Sequence, residues 1–121
     1  MAEEKKYEDI DTQNDEINEL INSFVKELMP IRIYLFGSYA ENNENEDSDF
    51  DFYIVVNDTE CDMVTLTARA YKSIRYKQKR SVDIIVNTES VFHARKKILS
   101  TEKEVFERGV LIYAEQQGMM K

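Results

Sequence analysis

A chain of 121 residues, 42% of them hydrophobic, holds enough apolar side chain for one core and little for a second. Twenty-four acids against 16 bases give a net charge of −8, which excludes general, charge-driven nucleic-acid binding. No apolar run approaches the roughly 18–20 residues of a membrane span; the charged opening MAEEKKYEDIDTQNDE has no apolar stretch of a secretory signal, and the single cysteine, Cys61, permits no internal disulfide, so a reduced, cytoplasmic protein is expected.

Residues 1–14 are polar and read as a flexible N-terminus. Ile17, Leu20, Ile21, Phe24, Val25 and Leu28 then fall at steps of three and four, the mark of an amphipathic helix. Pro30 ends it, and Met29 before that proline is biased out of helical geometry. Ile31–Phe36 is apolar at both parities, as in a strand covered on both faces. Gly37 breaks it, and 41–48 reads as a solvated loop. Asp49–Val56 is a second strand, with Asp49, Asp51, Tyr53 and Val55 on one face and Phe50, Phe52, Ile54 and Val56 on the other.

Asn57-Asp58-Thr59 is a turn. Asp62 opens a second helix, with Met63, Leu66, Ala70, Tyr71 and Ile74 on one side and Arg69, Lys72, Arg75 and Lys79 elsewhere on its surface. Those four cations read as a solvated face, or as groups reaching a triphosphate or an acidic partner. Cys61, beside this helix, reads as a small filler residue. Ser81–Val86 is a third strand. Thr88 or Ser90 caps a short helix over Val91–Leu99. Thr101 caps another over Glu102–Arg108, with Glu104 as in a capping box. Val110–Tyr113 is a short last strand. One domain over 15–114 and a loose tail at 115–121 are expected. Long helices between a few strands give an α/β (α+β) fold: a small mixed sheet with helices mainly on one face and the other face left to hold a site.

The residues that carry chemistry gather where strands begin and end. Asp49 and Asp51, two apart on a strand, point the same way and repel each other when both are ionised. A hard cation resolves that conflict, and Mg²⁺ suits carboxylate oxygens with water and phosphate in its other positions. Asp83 opens the next strand and can approach the same point. Three converging carboxylates are the equipment of two-metal phosphoryl or nucleotidyl transfer, with Asp83 orienting an attacking hydroxyl or accepting its proton. Gly37-Ser38 supplies the complement. A glycine after a strand allows close backbone approach, and the amides of Ser38 and Tyr39 can bind phosphate oxygens. His93 has no second His or Cys near it and reads as structural or surface. Arg95-Lys96-Lys97 reads as solvated, and the aromatics Tyr34, Phe36, Phe50, Phe52 and Tyr53 as core.

The stretch LFGSYAENNENEDSDFDFYIVV resembles the signature of the minimal nucleotidyltransferases of the DNA polymerase β-like superfamily: GS, ten residues, then DxD. The third acid in VDIIV and the ending EKEVFERGVLIYAE extend the resemblance over most of the chain. It implies the polymerase β-like nucleotidyltransferase fold, with Gly37 and Ser38 holding phosphate, Asp49 and Asp51 binding Mg²⁺, and Asp83 as third carboxylate. It further implies two Mg²⁺ ions, ATP as donor, and a HEPN-domain toxin as partner, silenced as in a toxin–antitoxin pair by transfer of AMP to a tyrosine. The chain departs from the family where many members follow GS-x-A with Arg-Gly: it has Glu41-Asn42, and adds Glu44, Glu46 and Asp47. An acidic antitoxin that works by occlusion is the alternative. A chain this short has no second domain to enclose an acceptor, so homo- or hetero-oligomerisation is expected.

Overall fold

The structure, a computed structural model, describes residues 5–6, 15–37 and 49–115. The elements in chain order are β1 (Lys5–Lys6), α1 (Asp15–Leu28), β2 (Arg32–Phe36), β3 (Phe50–Val56), α2 (Met63–Ser73), β4 (Val82–Thr88), α3 (Glu89–Arg95), α4 (Thr101–Arg108) and β5 (Val110–Ala114). They build one mixed sheet in the order β1-β5-β2-β3-β4. β2 runs antiparallel to both β3 and β5, while β3 and β4 run parallel, joined by the α2 crossover. Lys5–Lys6 pairs in parallel with Val110–Leu111, an edge strand that the polar opening did not announce. The rest of the expected flexible N-terminus and tail lies outside the described residues.

The period-2 reading of β3 decides the layers. Its even residues, Phe50, Phe52, Ile54 and Val56, join Ile33 and Leu35 of β2 and Val82, Ile84 and Val86 of β4. Against them pack Ile17, Leu20, Ile21 and Phe24 of α1, Leu66 and Ala70 of α2, and Ile74 just beyond it. The Phe24 ring meets Phe52 edge-on, centroids 5.1 Å apart. Each such side chain stabilises the fold by about 1.5–3 kcal/mol. The two long helices therefore share one face, as expected. The two short ones lie on the other, where Phe92 of α3 and Val105 of α4 cover Tyr34, Tyr53 and Val55. That face is thus only partly open.

Local signals explain the boundaries. Met29 takes a left-handed φ of 50° before Pro30 and stands 79% exposed. Asp62 caps α2 by accepting the Thr65 N–H at 3.0 Å. That helix stops at Ser73, so Arg75 and Lys79 lie on the following turns rather than on a helix face. Thr88 caps α3, which ends at Arg95, short of the expected Leu99. Ser100, not Thr101, caps α4, so Glu104 falls outside a capping box. Cys61 is exposed rather than a filler. At the far side of the sheet the Tyr71 hydroxyl accepts the Ile84 N–H at 2.9 Å. Among the described residues no helix is long and apolar enough to cross a membrane.

Candidate active site

β2 delivers the chain to Gly37 at one edge of the sheet, and the same edge starts β3 and β4. Phe36 pairs with Asp51, and Asp51 pairs with Asp83, so the turn and two of the three acids stand in one row. Parity places Asp51 and Asp83 on the face that carries α3 and α4. Neighbouring strands lie ~4.8 Å apart, so this register brings the two carboxyl groups together. Each carboxyl lies within reach of the other's charge. Asp49 lies one residue before β3, exposed, and its charge reaches Asp51.

Gly37 is required by this packing. Its φ is +80°, and a Cβ there would sit 2.3 Å from Asp51 Oδ2. Any other residue at 37 pushes the Asp51 carboxyl away. Ser38 and Tyr39, the other expected phosphate-binding positions, lie outside the described residues, as does the acidic loop with Glu41, Glu44, Glu46 and Asp47.

The electrostatics mark Asp51. Burial first, then the charge of Asp83 and the hydrogen bond to it, then the charges of Asp49 and Glu104, push its carboxyl up to about 6. Glu104, in the first turn of α4, was not among the expected acids, because its sequence context explained it as a cap. Carboxylate oxygens are the right donors for a hard divalent ion, and Asp51 and Asp83 adjoin. Yet among the described residues no three His, Cys, Asp or Glu side chains are grouped closely enough to hold a metal. Asp49 does not close the set.

Behind the acids on the same face lies a second polar group. Tyr53, one step inward from Asp51 along β3 and fully buried, donates its hydroxyl to Glu102 Oε2 at 2.8 Å. Arg95 Nε donates to Glu102 Oε1 at 2.8 Å. Burial pushes Glu102 up, but the bonds from Arg95 and Tyr53 outweigh it and leave the carboxyl below its ordinary value. Burial and the carboxylate push the Tyr53 phenol up. This ties α3 and α4 to the sheet. Arg95 is therefore a structural anchor and not one of three solvated cations, and Lys96 lies over the Phe106 ring at 4.2 Å. A buried tyrosine hydroxyl announces the need for a partner; nothing in the local sequence names one 49 residues away. His93 is exposed, and Tyr34, Phe50, Phe52 and Tyr53 are buried, as expected.

Among solved structures, the chain is similar to a protein from Sulfolobus solfataricus whose assignment as a nucleotidyltransferase is provisional: 21% identity over 85% of this chain and 81% of that one, TM-score 0.59. It is also similar to a toxin–antitoxin complex with AMP-PNP, at 22% identity over 83% and 75% and a TM-score of 0.47. A mutant of the toxin–antitoxin pair MntA–HpeT gives 21% identity over 84% and 75%, also at 0.47. These likenesses concern the fold. No curated protein matches the sequence. The family model described as "Polymerase beta, Nucleotidyltransferase" matches residues 18–115, from the first helix through the last strand. The chain belongs to the polymerase β nucleotidyltransferase family.

Proposed function

We propose that the chain is a Mg²⁺-dependent nucleotidyltransferase that moves AMP from ATP to a tyrosine hydroxyl of a partner protein, a HEPN-domain toxin, and so acts as its antitoxin. The observation that carries the reading is the row Gly37–Asp51–Asp83. A turn shaped for close approach stands beside two carboxylates that the strand register sets side by side. Asp49, Asp51 and Asp83 would hold Mg²⁺, which supplies charge neutralisation for the triphosphate. Gly37, Ser38 and Tyr39 would present backbone amides to its oxygens.

The tyrosine oxygen attacks the α-phosphorus, the bond to the β-phosphate breaks, and pyrophosphate leaves. Asp83, at the outer side of the row, orients the hydroxyl and accepts its proton. The acceptor's identity rests on the resemblance to minimal nucleotidyltransferases.

The test is intact-mass analysis of a purified HEPN-domain partner after incubation with this protein, ATP and Mg²⁺. A gain of one or more AMP masses, absent with EDTA and with Asp49→Asn or Asp51→Asn, is the expected result. A stable complex with no added mass would instead establish the second reading, an acidic binding module that neutralises by occlusion. The net charge of −8 and the unclosed carboxylate set favour that alternative.

A further inference from the structure

The stretch 69–80, RAYKSIRYKQKR, has six of the chain's 16 cations and no acid. Three of them are tied down. Arg69 pairs with Glu27 at 2.9 Å and Arg80 with Glu16 at 3.1 Å, and Lys77 Nζ donates to Ser23 Oγ at 2.6 Å. The exposed Lys72, Arg75 and Lys79 make no ion pair or side-chain hydrogen bond among the described residues. Between them Tyr76 stands 92% exposed. In a chain of net charge −8 this is a concentrated patch of opposite sign.

The patch continues into an apolar one. On α2, Met63, Val64, Thr67, Ala68 and Tyr71 line a shallow hollow of about 400 Å³, with Val64 81% exposed. Lys72 follows Ala68 by one helical turn. The surface thus runs from apolar on α2 to basic at its end and on the turns after it, with tyrosine, methionine and arginine, the residue types enriched at protein interfaces. It also ends where β3 and β4 begin, on the face opposite the acids. The Phe50 N–H donates to Ser81 O at 3.1 Å, the Arg80 guanidinium lies 4.5 Å over the Phe50 ring, and Asp83 is four residues beyond Lys79.

We infer that the outer side of α2 and the turns after it, from Met63 to Lys79, form the docking surface for a protein segment with apolar side chains flanked by carboxylates. Charge complementarity selects that occupant. A nucleic-acid strand is disfavoured, because three cations without an ion pair among the described residues offer little phosphate neutralisation in a chain of net charge −8. The docked protein's role as acceptor rests on the function proposed above, whereas the docking itself does not.

A random-peptide library selected against the full chain tests this, with the selected peptides measured by fluorescence anisotropy and mapped by amide shifts. The expected peptides are rich in Asp and Glu around Leu, Phe or Met, and shift residues 63–79. They bind about tenfold or more weaker to Lys72→Glu/Arg75→Glu/Lys79→Glu, with a smaller loss for the matching Gln variant, and unchanged to Asp51→Asn. All altered cations are exposed, and a thermal melt checks the fold. Selection without carboxylates, binding that survives charge reversal, equal binding of an oligothymidylate, or self-association abolished by the reversal would each overturn the inference. Loss of AMP transfer with intact peptide binding would overturn only the catalytic reading.

Discussion

One face of the sheet holds two groups of carboxylates, and they are opposites. At the edge, Asp51 sits among Asp83, Asp49 and Glu104, all of its own sign. One step inward, Glu102 is 5% exposed and held between a phenol and a guanidinium. Burial alone would raise both. Partners reverse the outcome for Glu102 and aggravate it for Asp51. A satisfied carboxylate fastens structure; one crowded by its own sign is suited to binding a cation.

The largest effect that would sharpen this contrast is on chemistry. Asp51→Asn is expected to cut AMP transfer by ~10³-fold or more, read as initial rate, while the thermal midpoint of the metal-free chain at pH 7 holds or rises. Glu102→Ala should do the reverse. It strands the Tyr53 hydroxyl and the half-exposed Arg95, costing about 2–3 kcal/mol in denaturant unfolding with transfer per folded molecule retained. Equal loss of stability in both variants would break the contrast.

Two smaller effects follow. Tyr53→Phe removes one of the two bonds to Glu102 and is expected to cost about 1 kcal/mol. The pH dependences have opposite signs. Asp51 is raised, so its contribution to metal-free stability is full below its ordinary value of 3.8 and is lost as pH rises through about 6. Glu102 is lowered, so its contribution is present above 4.5 and is lost as pH falls below that. Melts of the wild type and Asp51→Asn between pH 4 and 8 should differ in slope chiefly between the ordinary value of 3.8 and about 6, and run parallel above that; Mg²⁺ should flatten the difference. Curves parallel throughout would refute it.

Much of the fold was legible because β3 writes its two faces in plain alternation, aromatic and aliphatic on one and acids with Tyr53 on the other. Side-chain caps set the starts of α2, α3 and α4 and proline the end of α1, within a residue or two, whereas α3 ends four residues before the expected Leu99. The row of acids was legible for the same reason: each opens a strand. What escaped was non-local. The Tyr53–Glu102 bond spans 49 residues, and Arg95 sits in a run of three cations that looks solvated. The end of α2 at Ser73 also escaped, since the cations beyond it keep a helical spacing.

The Tyr71 hydroxyl on the Ile84 N–H bears on how the chain survives at high concentration. β4 is the last strand of the sheet, seven residues rich in valine and isoleucine, the kind of border along which identical molecules add strand to strand into insoluble deposits. A phenol laid across it occupies a donor such growth would need. Loss of one oxygen atom, in Tyr71→Phe, would leave the native fold standing and remove a guard against fibres.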